Sequence, residues 1–277
     1  MRKSLSGLAA CALLTAPLAA QAADLVRAPA YKAPPSPPAI ATWTGLYAGL
    51  SLGARWLDAD WTTTQLFDIT GLPFPLASDP NAAFRDTAVR IGGYLGYNWQ
   101  VASSWLVGME IDVGWAKNDE RLNRLPGAFN IFPTATPSFA TVEATWDASL
   151  RARLGMLLNP TVLIYATGGL ALLHVEASGV CPADNNSCNP AFGTQSGSIS
   201  TTRAGWTAGA GVEVMRANWL GRIEYRYADL GRLRFNPLPI SPTTLGMVAN
   251  LDVEIHTLLV GIAYKFDWGT SRVVARY

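Results

Sequence analysis

Residues 105–116 read WLVGMEIDVGWA. Successive residues of a strand point to opposite faces. Trp105, Val107, Met109, Ile111, Val113 and Trp115 therefore share one side, and Leu106, Gly108, Glu110, Asp112, Gly114 and Ala116 share the other. One face is wholly apolar and ends in tryptophan at both limits, where a bilayer places its headgroup boundaries; the opposite face is small and charged. A soluble sheet would not turn such a face to water. The pattern predicts a strand that crosses a membrane with lipid on one side and a polar interior on the other.

The same alternation recurs in seven further segments, at 43–56, 88–99, 144–157, 162–173, 203–214, 219–228 and 252–266. In 43–56 Leu46, Leu50, Leu52 and Trp56 oppose Gly45, Gly49, Gly53 and Arg55; in 88–99 Val89, Ile91, Leu95, Tyr97 and Trp99 oppose Arg90, Gly92, Tyr94 and Gly96. Segment 162–173 is apolar on both sides, and its faces are not assigned by pattern. The connections alternate strictly. Those at 100–104, 158–161 and 215–218 are short, whereas 57–87, 117–143, 174–202 and 229–251 are long and rich in Pro, Asn, Asp, Thr and Gly. Short periplasmic turns and long extracellular loops mark bacterial outer-membrane barrels, and an even strand count returns both ends to the periplasm. The expected fold is all-β: an eight-stranded antiparallel up-and-down transmembrane β-barrel over 42–266. A bilayer tolerates no open sheet edge, so the first and eighth strands must pair.

Composition agrees. Of 277 residues 49% are hydrophobic and only 15% charged, against the quarter or so usual in globular proteins, yet beyond the N-terminus no run of about 20 apolar residues could form a spanning helix. A formal net charge of +1 argues against a nucleic-acid binder. Residues 1–22 read as a signal peptide: Arg2 and Lys3, an apolar stretch from Leu5 to Ala19, and the small-residue site Ala20-Gln21-Ala22. Leu8-Ala9-Ala10-Cys11 also matches a lipobox, but the apolar core before Cys11 is too short and apolar residues continue past it. Residues 23–41 are proline-rich and are expected to form an extended periplasmic tether; 267–277 are expected to be a C-terminal tail. Cys181 and Cys188 remain as a pair in CPADNNSC, which in an exported chain suits a disulfide contributing about 2–3 kcal/mol. Two thiolates without a histidine are too few for zinc.

An eight-stranded barrel has room for side chains and not for an open pore. Arg55, Arg90, Arg151, Arg153, Arg222, Arg226 and Lys265 are placed inward with Glu110, Asp112, Asp147, Glu213 and Glu224, and inward glycines leave them space. Buried charges need partners, so an internal ion-pair network is expected. The alternative is a selectivity filter in a narrow pore. Hydrolase chemistry has little to draw on: His174 and His256 are the two histidines, expected near the extracellular strand ends, with Glu176, Ser178 and Glu254 as neighbours but no nucleophile placed by the pattern. No nucleotide, HExxH or CxxC motif occurs, and neither a cofactor nor a metal is expected. A soluble ligand-binding barrel would carry the inverse pattern, with its apolar residues inside. The tips Leu72-Pro73-Phe74-Pro75 and Ile131-Phe132-Pro133 are expected to pack on the rim.

WTGLYAGLSLGARW, RIGGYLGYNWQ, YATGGLAL, AGWTAGAGVEV and YKFDWG…VVARY together resemble the small outer-membrane β-barrel family labelled "porin family" or outer-membrane immunogenic protein. The resemblance implies a surface-exposed barrel of Gram-negative bacteria with structural roles, held in outer-membrane lipid and lipopolysaccharide. LVGIAYKF resembles the signal read by the barrel-assembly machinery, with Gly261, Tyr264 and Phe266 as its elements and the terminal Tyr277 as a competing aromatic.

Overall fold

The structure is a computed structural model that describes residues 42–68, 70–76, 79–128, 137–183, 193–240 and 245–266. The readings made for 1–22, 23–41, 267–277 with Tyr277, Cys188 and the 131–133 tip lie outside these residues.

Among the described residues nine strands form one sheet: β1 (Gly45–Phe67), β2 (Pro73–Phe74), β3 (Asn81–Gln100), β4 (Trp105–Leu122), β5 (Phe139–Asn159), β6 (Val162–Cys181), β7 (Gln195–Arg216), β8 (Trp219–Leu238) and β9 (Gly246–Phe266). All pairings are antiparallel between chain neighbours, β2 is a short addition to β1, and β1 closes on β9 to give a ring of eight. Every long strand, at 18–23 residues, exceeds the segment of 10–15 residues read from the alternation. Strand extends from both sides into each of the four "long loops", and the eight long strands are joined there by 68–80, which carries β2, and by 123–138, 182–194 and 239–245. The short turns stay short. Ala217 takes a left-handed φ of 53° in the two-residue β7–β8 turn, and Asn159 Oδ1 accepts from the Thr161 amide and hydroxyl and the Val162 amide at β5–β6.

The reason for the extension is a change of environment along each strand. In the membrane half, Leu50, Val89, Ile91, Ile111, Val113, Leu170, Ile223 and Val260 stand exposed on the outer wall. Trp99, Trp105, Trp219, Tyr264 and Phe266 ring one limit, and Trp56, Trp115, Trp146 and Trp206 the other. Trp105 to Trp115 is ten residues, about 34 Å along a strand and about 25 Å across the bilayer at the usual tilt. Beyond the second ring the pattern inverts. In 57–63 Leu57, Ala59, Trp61 and Thr63 turn inward and are buried while Asp58, Asp60 and Thr62 turn out. Inside this distal storey Trp61 packs with Phe84 (5.9 Å) and edge-on to Phe235 (4.9 Å), among Val142, Leu173, Val175, Leu233, Leu251 and Val253. The arrangement rejected for the whole chain, apolar inside and polar outside, is what the chain builds above the bilayer.

The ring itself divides there. The β3–β4 ladder runs only between Ile91–Gln100 and Leu106–Trp115, and the β7–β8 ladder only between Trp206–Arg216 and Trp219–Asp229. The other ladders continue. The distal storey is therefore two facing four-stranded sheets, β4–β5–β6–β7 and β8–β9–β1–β3, meeting at two seams.

Candidate functional site: the charged interior

Between the two aromatic rings the interior is a single charged layer. Six arginines and five carboxylates, at 55, 90, 151, 153, 222, 226 and at 110, 112, 147, 213, 224, all lie buried inside the ring. Two-residue periodicity brings each there from its own strand, and cross-strand glycines make room. The guanidinium of Arg90 occupies the space a Cβ on Gly114 would need, and the Tyr47 phenol occupies that of Gly96.

Each carboxylate but one serves more than one arginine. Glu110 accepts from Arg151 and Arg222, both at 2.5 Å, and from the Tyr47 hydroxyl at 2.8 Å. Glu224 accepts from Arg151 at 2.6 Å and Tyr165 at 2.8 Å and lies 3.2 Å from Arg226. Asp112 accepts from Arg90 (2.6 Å) and Arg226 (2.8 Å); Asp147 accepts from Arg90 at 2.8 Å. Glu213 takes Arg153 alone, at 2.7 Å, and Arg153 stacks on the Tyr165 ring at 3.8 Å. Arg222 lies 3.5 Å over the ring of Tyr94. Charge-assisted bonds of this length in a low-dielectric interior hold their partners in one geometry.

Arg55 has a second task beside the carboxylate pairing expected of it. Its ion pair with Asp147 spans 3.7 Å. At shorter range it donates to the carbonyls of Ala116 (2.7 Å), Ala144 (2.8 Å) and Thr145 (3.1 Å) and to Asn118 Oδ1 (2.7 Å). These groups flank the places where the β4–β5 and β5–β6 registers slip, between Trp115 and Asn118 and between Ala144 and Asp147. The slip also moves the inward positions of β5 from Ala140, Val142 and Ala144 to Asp147, Arg151 and Arg153. Arg55 thus ties together carbonyls on both sides of a ladder irregularity. Lys265 is buried, one residue before the end of β9.

The charged layer is capped on both sides. Below it Trp43, Tyr47, Tyr94, Leu106, Leu163, Tyr165, Met215, Leu220 and Ala263 pack together, and Trp43 Nε1 donates to the Pro160 carbonyl at 3.1 Å. Above it lies the distal apolar core. Tyr47 and Tyr94 fall on inward positions of the alternation, but nothing in it shows that they bond to or stack on the charges. Tyr165 was hidden because both faces of its segment are apolar.

Outside the ring, His174 and His256 lie in mid-strand of β6 and β9, a correction to the strand-end expectation. His174 stacks on Trp146 (5.9 Å), and its Nε2 is 3.3 Å from Glu176 and 3.4 Å from Ser200, with Thr202 3.3 Å from Nδ1. Ser200 and Glu176 share one ring nitrogen, which is not the through-ring relay of a serine hydrolase. Ser178 bonds instead to Thr141 at 2.6 Å, and His256 to Tyr225 at 2.7 Å. Among the described residues no group of three His, Cys, Asp or Glu could hold a metal ion. Cys181, at the end of β6, is disulfide-bonded. Pro73 and Phe74 pair as β2 with Phe67 and Leu66 of β1, and Leu72 stands exposed beside them.

A closed ring with a lipid-matched outer band, two aromatic belts and a charged interior defines an integral β-barrel of the outer membrane. The chain belongs to the outer membrane protein β-barrel domain family, whose model matches residues 8–266. It is 29% identical to the 31 kDa outer-membrane immunogenic protein of Brucella melitensis over 259 residues, 89% of this chain and 93% of that one. It is 28% identical to the 25 kDa outer-membrane immunogenic protein of Brucella abortus, covering 81% and 80% of the two chains. Among solved structures it is similar to OprG of Pseudomonas aeruginosa (12% identity, 80% of this chain and 96% of that chain, TM-score 0.47) and to Neisserial surface protein A (15%, 79% and 99%, 0.38).

Proposed function

We propose that the protein is a closed, non-catalytic wall element of the outer membrane, whose work lies in envelope integrity and in the extracellular storey it presents. The observation that carries this reading is the interior stacking: an aromatic layer, a charged layer and an apolar core follow one another inside the ring. One cavity, lined by Asp147, Ser149, Ala171, Thr207, Arg226 and Thr257, measures about 20 Å³, room for one water. The names of the Brucella relatives, outer-membrane immunogenic proteins, agree with a surface role.

On this reading residues 1–22 are a cleaved signal, 23–41 a periplasmic tether and 267–277 a tail, and Cys181 pairs with Cys188. Gly261, Tyr264 and Phe266 on β9 form the assembly signal: the terminal strand, before it meets β1, offers a backbone edge to the insertase. Lipopolysaccharide surrounds the outer band.

One observation favours a narrow pore as second reading. Arginines outnumber carboxylates by one in the charged layer, and Arg90 Nη1, Arg222 Nη2 and Arg226 Nη2 have no hydrogen-bond partner there. Such donors suit waters or a small anion. Proteoliposome swelling separates the two. Vesicles holding the refolded protein should swell no faster than empty ones in sugar or amino-acid solutions. In cells lacking the protein, the wild type and a variant with the interior charges replaced by a folded apolar set should restore detergent resistance equally. Solute-dependent swelling, or rescue by the wild type alone, contradicts the wall reading.

A further inference from the structure

We propose that the outer wall beside the short β7–β8 turn holds one glycerophospholipid of net negative charge, with its phosphate on Arg216 and an acyl chain in a notch over Gly221. The inference goes beyond the wall reading. Besides the outer-membrane placement it rests on the expectation that the short turns are periplasmic, where the leaflet is glycerophospholipid rather than lipopolysaccharide.

The distribution of charge on the outside of the ring singles out this place. Outward charges begin beyond the second aromatic ring, with Asp58, Arg85, Lys117, Glu143, Glu176 and Asp229. From that ring down to the rim of the short turns, Arg216 is the one charged side chain that points outward among the described residues. It ends β7 at the limit marked by Trp219, Tyr264 and Phe266, and its side chain makes no ion pair or hydrogen bond with a described residue. Arg222 and Arg226 on the next strand turn inward to carboxylates. An exposed cation without a partner, at the level where a bilayer carries its phosphates, is complementary to an anionic headgroup.

Strand register builds the head of the site. Arg216 pairs with Trp219 across the two-residue turn, and Trp219 pairs with Tyr264 on β9. The three outward side chains therefore lie in one row, in steps of about 5 Å. Trp219 and Tyr264 meet edge-on at 5.3 Å, and Tyr264 and Phe266 at 5.4 Å, which sets an aromatic shelf beside the guanidinium. The Trp219 indole N–H and the Tyr264 hydroxyl donate to no described residue and are left for the ester oxygens of a lipid.

Two residues along β8 from Trp219, about 7 Å into the bilayer, the wall has a notch. Gly221 points outward between Trp219 and Ile223, and register sets it between Val214 on β7 and Ile262 on β9. All four neighbours stand exposed, whereas a Cβ on Gly221 meets nothing within 4 Å. A chain carbon laid there touches apolar side chains on every side while the phosphate stays over Arg216. A cation alone would hold any anion, and a notch alone any acyl chain. Their separation by one strand step selects a molecule that carries both.

Native mass spectrometry of the full, refolded protein released from detergent micelles tests this, with phosphatidylglycerol, phosphatidylethanolamine and lipid A as probes. One phosphatidylglycerol should be retained per protein, about fivefold more tightly than phosphatidylethanolamine with the same chains. Arg216→Gln should bring these two lipids to equal affinity. Gly221→Ile, which fills the notch, should weaken both about fivefold and keep their ratio. Arg85→Gln, beyond the second aromatic ring, should change neither. Each variant is checked for folding by its heat-modifiable gel migration. The proposal fails if Arg216→Gln keeps the preference, if Arg85→Gln loses as much of it, or if Gly221→Ile binds like the wild type. It fails equally if lipid A binds as tightly as phosphatidylglycerol, or if the wild type retains several lipids without preference. None of these results depends on whether the interior conducts, which the swelling measurement decides separately.

Discussion

Arg55 illustrates how much of the interior is decided one residue at a time. Replacing it with methionine keeps the volume but leaves the carbonyls of Ala116, Ala144 and Thr145 and the Oδ1 of Asn118 without this donor in a dry interior. Each buried group stranded in this way costs about 1–3 kcal/mol, so Arg55→Met should lower urea stability in detergent micelles by at least about 3 kcal/mol. Arg85→Met, which removes an exposed pair with Asp58, should stay within about 0.5 kcal/mol. Glycines divide in the same way. A Cβ on Gly205 would sit 1.9 Å from the Asp229 carbonyl oxygen, where the backbone cannot yield, whereas a Cβ on Gly221 meets nothing within 4 Å. Gly205→Ala should therefore impair folding yield and Gly221→Ala should not, as read by the fraction of heat-modifiable protein after refolding. That Arg55 and Arg90 face inward was legible from the alternation. Which partner each takes was not, because the β4–β5 slip beside the acceptors of Arg55 depends on strand pairing.

At the scale of the strand, the same alternation carries two opposite meanings. Up to Trp56 the apolar residues of β1 face lipid, and from Leu57 onward they face the core. The sequence LDADWTT alternates as cleanly as the segment before it, yet a reader looking for an apolar outer face stops at the aromatic belt and reads a loop. The signal was present, and its interpretation required knowing where the bilayer ends. Arginine substitutions map that boundary. Ile111→Arg on the outer wall should cost about 2–4 kcal/mol of folding free energy in lipid vesicles, and Thr62→Arg, outward but above the belt, about 0.5 kcal/mol or less. Leu251→Arg, inward above the belt, puts an unpaired charge into the distal core and should prevent that storey from packing, seen as loss of its near-ultraviolet circular dichroism. If Thr62→Arg and Ile111→Arg cost the same, the two-storey description is wrong. The division of the ring at two seams left no mark in the pattern, since Ser, Thr and Gly occur in paired and edge strands alike.

For the whole molecule, eight strands, the order of short and long connections and the set of inward charges could all be read before any coordinates, because lipid imposes them on every such chain. What the charges do as a set follows from the layers that cap them. Trp43, Tyr47 and Leu163 pack on the side of the short turns and Trp61, Phe84 and Phe235 on the side of the long connections, drawn from segments far apart in the chain. A charged layer open to water at either end would be a filter; on the wall reading proposed above, these two apolar layers make it a brace. Planar-bilayer recording of the refolded, full-length protein in symmetric chloride salt distinguishes these states most directly. The sealed interior predicts no steady conductance above that of the bare bilayer at any holding potential. Reproducible openings that scale with the amount of folded protein, selective for anions as the surplus arginine would make them, would contradict it.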